Sequence, residues 1–233
     1  MAGLSRKDLK HDKFVEEVGH QVEYVSKHRT LVVGGAVLLV AAIVGISSWM
    51  GYRASVEAEA RQALQEAVRL FHGSVTTDQR VGFQTFATTG ERVRRTTEAL
   101  EGVRDDYPGT EQAAGALYYL ALLDLEQDKL DEAQQKLEQA IGGKAGYASL
   151  ARLTLADVYG RKGDVENARK HYQYLIDNPS GVVTADRAKL AFGRFLGKHD
   201  PEAAKPVLES LIEDSSPAAG AATTALRDIT NRS

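Results

Sequence analysis

A fourteen-residue pattern occurs three times in the chain, at residues 128–141, 163–176 and 199–212, with spacings of 35 (163 − 128) and 36 (199 − 163) residues. In each copy an alanine is followed four, seven and eight positions later by apolar residues, which places all four on one face of an α-helix. Such a repeat predicts a stack of similar helical units, each packed against its neighbours. The shared positions are Ala133, Ala168 and Ala204; Leu137, Tyr172 and Leu208; Ala140, Leu175 and Leu211; and Ile141, Ile176 and Ile212.

Signals for helix ends surround each copy. Asp128, Asp164 and Asp200 precede the three helices as predicted N-caps, and Pro201 suits the first helical position. Another helix-forming stretch comes before each copy, so the repeating unit is predicted to be a helix, a tight turn and a second helix. Pro206 lies inside the third copy. Because an interior proline costs about 3 kcal/mol in a regular helix, a kink or a late start is expected there.

Partial copies flank the three complete ones. Residues 97–114 contain a half-copy that ends in a turn at 107–110, and residues 216–229 predict a small capping helix. The residues predicted to face the core are Leu100 and Val103 in the half-copy, and Ala222, Leu226 and Ile229 in the capping helix.

Residues 30–52 carry no charged side chain over 23 positions, between Arg29 and Arg53. A helix of this length extends about 34 Å, enough to cross a hydrocarbon core of about 30 Å. We interpret it as a single transmembrane helix. Two alternatives remain: a buried core helix, which would be shorter and carry a polar stripe, and a cleaved signal peptide, whose apolar region is normally shorter.

The flanking charges predict the orientation of this helix. Six Lys or Arg residues precede it, whereas the nearest basic residues on the far side are Arg53 and Arg61. The positive-inside rule therefore predicts a cytoplasmic N-terminus and an exported C-terminal domain. The six preceding residues are Arg6, Lys7, Lys10, Lys13, Lys27 and Arg29.

These features together predict an all-α fold in four parts. Residues 1–29 are a cytoplasmic N-terminal segment, 30–52 the transmembrane helix, 53–90 a connecting helix and loop, and 91–233 a helical-hairpin repeat domain with a C-terminal capping helix. Within the third part, residues 73–90 are the most turn-prone, and they predict a long loop or a weakly ordered helix.

Composition and motifs argue against several kinds of chemistry. The chain has no cysteine, which excludes disulfides, thiolate zinc sites and cysteine nucleophiles, and its net charge of −3 gives no basic footprint for nucleic acid. The six histidines are scattered without metal-ligand spacing, and no nucleophile or phosphate-loop motif occurs. We therefore expect no catalytic site, metal, cofactor or nucleic-acid partner. An enzyme site between repeats is kept as the alternative.

The middle copy and the helix before it carry a recognisable set of residues at fixed intervals. These are Leu155-Ala156, Tyr159, Gly163, Ala168, Tyr172, Leu175 and Pro179. Their order and spacing resemble the tetratricopeptide repeat, a helical hairpin of about 34 residues. The first copy matches less completely and the third is the most divergent. The resemblance implies a solenoid that binds other proteins.

By the same resemblance, the first helices of the hairpins would line a concave peptide-binding groove. The implied groove residues are Tyr118, Leu122, Leu153, Asp157, Arg161 and Lys189. The asparagine and paired lysines with which some tetratricopeptide domains clamp a C-terminal carboxylate are not reproduced, because Asp157 and Gly193 stand where asparagine is wanted.

The whole layout of a short N-terminus, one span and exported repeats is similar to the YfgM-type ancillary subunits of the bacterial Sec translocon. This resemblance implies a location in the bacterial inner membrane, with the repeats in the periplasm. The implied partners are translocon subunits, periplasmic chaperones or unfolded exported chains. A tetratricopeptide scaffold of another envelope machine, for envelope assembly, cell division, a pilus or secretion, is the alternative.

Overall fold

The computed structural model divides the chain into two compact units, Met1–Ser55 and Val56–Ser233. The prediction for the cytoplasmic N-terminal segment lies outside the described residues, except at Arg29. The described residues are 29–76, 84–143 and 145–231.

The described part of the first unit is helical, within helix α1 (Arg29–Phe71). Large apolar side chains between Leu31 and Tyr52 are exposed, from 54% at Val33 to 74% at Leu31. Among the described residues, α1 is the one helix long and apolar enough to cross a membrane. In length and composition it agrees with the predicted span.

The second unit is formed by the end of α1 and by eight further helices within its described residues. Each of these eight helices packs mainly against its neighbours along the chain. The remaining helices are α2 (Thr89–Asp106), α3 (Glu111–Glu126), α4 (Leu130–Ala140), α5 (Ala145–Arg161), α6 (Val165–Asp177), α7 (Ala185–His199), α8 (Pro201–Glu213) and α9 (Ala219–Thr230).

The repeated face predicted from the sequence is confirmed. The three aligned alanines, Ala133, Ala168 and Ala204, have no exposed surface, and the residues four positions on from them are equally buried. The isoleucines that close each copy are partly buried at the edge of the core. Three hairpins, α3–α4, α5–α6 and α7–α8, therefore use one packing pattern, in which a small residue admits a close helix contact.

The predicted N-caps are confirmed in two of three copies. The carboxylates of Asp164 and Asp200 accept backbone N–H groups at 3.1 and 3.2 Å. Asp128 is wrong as a cap, because α4 begins after Lys129, which makes no side-chain capping bond. Asp128 has a φ of 60°, like Gly163 with a φ of 80° in the next copy. The repeat offset of 35 residues pairs Asp128 with Gly163, so Asp128 occupies the left-handed turn position.

Both partial copies are confirmed as helices. Leu100 and Val103 of α2 are buried, and the half-copy closes at Tyr107, after which Thr110 caps α3 by accepting the Ala113 N–H at 3.1 Å. In α9, Ala222 and Ile229 are buried, and Leu226 packs against the same core.

The segment before α2 also contributes to the repeat unit. Leu64 and Ala67 of α1 share a buried cluster with residues of α2 and α3. In the segment expected to be a loop, β1 (Ser74–Val75) pairs in parallel with β2 (Thr85–Phe86). The second compact unit thus includes residues of 53–90, which the sequence predicted to be a connecting helix and loop.

Helix α8 begins at Pro201 and continues through Pro206. The expected late start is therefore wrong. Pro206 and Glu202 are both exposed. Proline has no backbone N–H to donate to the Glu202 carbonyl. Water can hydrate this carbonyl instead, which lowers the cost of the interior proline.

Candidate functional site

A cleft of about 640 Å³ lies between the first helices of the three hairpins, α3, α5 and α7. We call it the central cleft. Leu125, Val158 and Phe195 provide apolar surface, while Asp157 and Arg161 come from α5. Helix α7 adds three polar side chains to the lining: Arg194, Lys198 and His199.

A glycine on α5 lets α7 approach closely. A Cβ added at Gly160 would lie 2.7 Å from Cε2 of Phe195, a distance that side chains do not tolerate. The Phe195 ring therefore occupies the space of the missing side chain, with its centroid 5.3 Å from that of Tyr172. This contact forms the apolar floor of the central cleft.

Asp157 is held in place by a buried tyrosine of its own hairpin. The hydroxyl of Tyr172, a residue with no exposed surface, donates a hydrogen bond to Oδ1 of Asp157. The Asp157 side chain is accessible from the cleft, yet protein atoms surround it on the other sides. This burial raises the pKa of Asp157, while the Tyr172 hydrogen bond and the nearby Lys198 lower it. The pKa of Tyr172 is raised, first by burial and then by Asp157.

This polar pair occurs in the middle hairpin alone. The positions equivalent to Tyr172 in the other two hairpins are Leu137 and Leu208, both fully buried. The positions equivalent to Asp157 are Leu122 and Gly193. Packing of a hairpin therefore does not require the tyrosine hydroxyl, and the pair adds a fixed hydrogen-bond acceptor to the cleft wall.

Three cations stand along the central cleft. The guanidinium of Arg161 contacts Oδ1 of Asp128 at 2.6 Å. Arg194 and Lys198, one helical turn apart on α7, make no hydrogen bond or ion pair within the described residues. Like charges at this spacing repel each other by about 0.2–0.5 kcal/mol. Lys198 lies close enough to Asp157 to lower its pKa, but no described residue holds either cation by a hydrogen bond, so both can reach a ligand.

A second, smaller cleft of about 310 Å³ continues between α7 and the capping helix α9. Arg194 and Lys198 line both clefts, and Asp228 and Thr224 form the far wall of the smaller one. The two α7 cations therefore lie between carboxylates of α5 and α9.

The six predicted groove residues do not all meet in one place. Asp157 and Arg161 line the central cleft. Leu153 packs against two buried clusters, and Lys189 lines another cleft with residues of α6 and α8.

The other two predicted residues lie on α3. Tyr118 packs against the core of the first hairpin, with its ring centroid 6.2 Å from that of Tyr147. Leu122 is half-buried on the same helix.

The sequence also allows a comparison with known families. Residues 23–173 match the family described as tetratricopeptide repeat-like domain. This match covers 151 of the 233 residues (173 − 23 + 1). The chain belongs to this tetratricopeptide repeat-like family. The curated proteins and the solved structures gave no match.

Tetratricopeptide domains mediate interactions between proteins and are typically non-catalytic. Membership of this family makes the chain a protein-interaction scaffold by class. No group of three or more metal-ligating side chains that could hold an ion occurs among the described residues.

The sequence patterns did not predict some residues of the central cleft. Arg194 and Lys198 belong to α7, beyond the stretch that matches the family, in the most divergent copy. Tyr172 was assigned to packing alone. Its departure from the leucines of the other two hairpins was the available signal of a polar role.

Proposed function

We propose that the chain is a membrane-anchored scaffold whose central cleft holds a segment of a partner protein. The observation that supports this most is the cleft itself, in which first helices of successive hairpins combine an apolar floor with charged walls. Clefts with an apolar floor and a few placed polar groups are typical of binding sites. The floor residue Phe195 would receive an apolar side chain of the segment.

Two polar features would orient the segment. Asp157, fixed by Tyr172, would accept an N–H of the bound chain. Arg194 and Lys198, which lack internal ion-pair partners, would bind a carboxylate or carbonyl oxygen. The segment that suits this arrangement has an acidic side chain close to an apolar one.

Membrane anchoring is the second part of the proposal. The length of the apolar helix α1 and its exposed apolar residues support it. We place the N-terminus in the cytoplasm and the repeats in the periplasm, because the basic residues precede the span.

For the cellular role, we propose an ancillary factor of the bacterial translocon that acts with periplasmic chaperones on exported chains. The layout of one span followed by repeats supports this role. A scaffold of another envelope machine has the same layout and remains the second candidate.

Photo-crosslinking in intact cells tests the cleft and the role together. A photoreactive amino acid at Arg194 should capture a translocon subunit, a periplasmic chaperone or an exported chain. The same group at Lys205, a partly exposed residue of α8 outside the central cleft, is the matched control and should not capture it. Equal capture at both positions would contradict binding in the central cleft. Capture of division, pilus or assembly proteins would favour the second candidate.

Anchoring has its own test. Full-length protein should remain with membranes after alkaline extraction, since a charge-free helix of this length partitions stably into a bilayer. Release of a shortened protein into the soluble fraction would show a cleaved signal peptide.

A further inference from the structure

A group of aromatic and charged side chains surrounds the half-buried His171 of α6. The ring of His171 stacks on that of Tyr159 of α5, with centroids 5.4 Å apart and an angle of 10° between the planes. Arg152, also on α5, has its Nη1 3.3 Å from Nδ1 of His171 and its Cζ 3.8 Å from the centroid of the Tyr174 ring. We call these four residues and Glu138 of α4 the histidine cluster. None of them lines the central cleft.

The contact with Arg152 fixes the protonation state of the His171 ring. A guanidinium has only N–H donors, so Nδ1 of His171 accepts the hydrogen bond and the neutral ring carries its proton on Nε2. A second proton, on Nδ1, would remove this acceptor and bring two positive charges together. Protonated His171 therefore cannot keep its contact with Arg152.

Glu138 provides an opposite charge in the same cluster. Its Oε1 accepts a hydrogen bond from the Tyr159 hydroxyl, with the two oxygens 3.0 Å apart. Burial and Arg152 lower the pKa of His171, whereas Glu138 raises it, and Lys170 of the same helix lowers it. A carboxylate favours the charged form of a nearby histidine. Glu138 is therefore the partner that suits protonated His171.

The other charged groups of the helices packed on α6 are engaged elsewhere. Asp157 and Arg161 of α5 line the central cleft. The titratable side chains of α7 contact other parts of the second unit or line the central cleft; they are Asp186, Arg187, Lys189, Arg194, Lys198 and His199.

We propose that His171 is a proton-operated switch between two partners on neighbouring helices. The neutral ring accepts from Arg152 within its own hairpin, and the protonated ring pairs with Glu138 of the first hairpin instead. Arg152 keeps its cation–π contact with Tyr174 in both states. Histidine is the side chain whose ordinary titration range, around pH 6.5, allows a change in ambient pH to operate such a switch. Acidification thus exchanges a contact inside the second hairpin for one between the first and second hairpins.

The lowered pKa of His171 determines the sign of its effect on stability. The folded state binds this proton less tightly than the unfolded chain, so His171 contributes most above its ordinary pKa of about 6.5. This contribution is lost as the pH falls from that value through the folded pKa. His171→Gln keeps an acceptor for Arg152 and cannot be protonated. The Tm of the wild type relative to His171→Gln should therefore decrease on acidification.

Histidine NMR of the full-length protein in detergent micelles tests the two partners. The ring signal of ¹³C-labelled His171, assigned by its absence in His171→Gln, is titrated from about pH 8 to about pH 4.5. Arg152→Gln should raise the midpoint because it removes a cation, and Glu138→Gln should lower it because it removes a carboxylate. Glu132→Gln removes the same charge from the first turn of α4 and is the matched control, which should shift the midpoint less than Glu138→Gln. Glu138 is exposed, so Glu138→Gln should fold normally.

Double-mutant cycles on the Tm show whether the partners exchange. The single and double variants are compared about one pH unit above and below the His171 midpoint, where one form of the ring predominates. The non-additive change in Tm for His171 and Arg152 should be present above the midpoint and lost below it. That for His171 and Glu138 should appear below the midpoint.

Three results would overturn the proposal. They are a His171 signal that does not titrate in this range, a midpoint that Arg152→Gln and Glu138→Gln move in the same direction, and non-additive changes that are equal above and below the midpoint. The test uses no binding partner, so its outcome is independent of what the central cleft holds.

Discussion

Replacing Tyr172 by Phe and by Leu separates two roles of one buried side chain. Tyr172→Phe removes only the hydroxyl that donates to Asp157, whereas Tyr172→Leu restores the residue found at this position in the other two hairpins. The leucine also abolishes ring contacts with Phe192 and Phe195, whose centroids lie 5.5 and 5.3 Å from that of Tyr172.

The structure gives the expected sizes of both effects. A hydrogen bond to a charged group contributes about 1.5–3 kcal/mol to the free energy of unfolding. Because Asp157 faces the open cleft, water can replace the lost hydroxyl in Tyr172→Phe, and the expected loss falls to about 1 kcal/mol. Each aromatic pair adds about 0.5–1.5 kcal/mol. Tyr172→Leu should therefore cost about 2–4 kcal/mol in total. For a domain of 150–250 residues, each kcal/mol lowers the Tm by about 2–4 °C.

Circular dichroism melting of full-length protein in detergent measures these losses. We expect a decrease of about 2–4 °C for Tyr172→Phe and about 4–16 °C for Tyr172→Leu. Leu137→Phe in the first hairpin is a control for aromatic substitution at the equivalent position, and it should destabilise by overpacking. Equal melting of the wild type and Tyr172→Leu would refute the core position of the ring. Equal melting of the two Tyr172 variants would refute the ring contribution.

Three further outcomes follow from the same core. Ala168→Leu should lower the free energy of unfolding by about 1–3 kcal/mol through overpacking, and an unchanged denaturation midpoint would place Ala168 outside the core. Gly163→Ala should cost about 1 kcal/mol in the same assay, because its φ of 80° disfavours a Cβ; no loss would show a relaxed turn. The raised pKa of Asp157 means that the folded state binds this proton more tightly than the unfolded chain. Asp157 therefore lowers stability above its folded pKa, and the stability of wild type relative to Asp157→Asn should rise as the pH falls; the opposite trend would contradict this assignment.

The second helices of the hairpins were predictable because one periodic rule governs them. Ala168, Leu175 and their equivalents recur at helical spacing, and burial of one face is all that the spacing requires. The same rule found α2 and α9, in which Leu100 and Ala222 are buried. Local patterns of this kind depend little on the rest of the chain.

Turn geometry was less predictable from residue type alone. Asp128 is a good N-cap residue by preference, yet the repeat register puts it at a left-handed position. An aspartate tolerates this conformation better than most residues. The left-handed conformation of Asp128 could be predicted from its alignment with Gly163, but not from the residue preference of aspartate alone.

The central cleft depends on contacts between hairpins, which a single helical pattern does not encode. Gly160 and Phe195 are distant in the sequence, and their close packing brings α7 and its cations Arg194 and Lys198 to the cleft. Leu153 is close to Asp157 along α5, but it packs against buried clusters. These placements follow from the crossing of α5 and α7, so they required the folded structure.

The shared cap of α7 and α8 has a consequence for where the repeat unit can be altered. The Asp200 N–H donates to Leu196 O at the end of α7, while its carboxylate accepts the Ala203 N–H at the start of α8. No spare residue separates the two helices. An inserted peptide or epitope tag at this turn would break both end contacts, whereas the connection before α7 has exposed non-helical residues at 178 and 179, ahead of the buried Val183, to absorb it. Segments grafted for labelling or domain fusion therefore belong before α7 rather than after it.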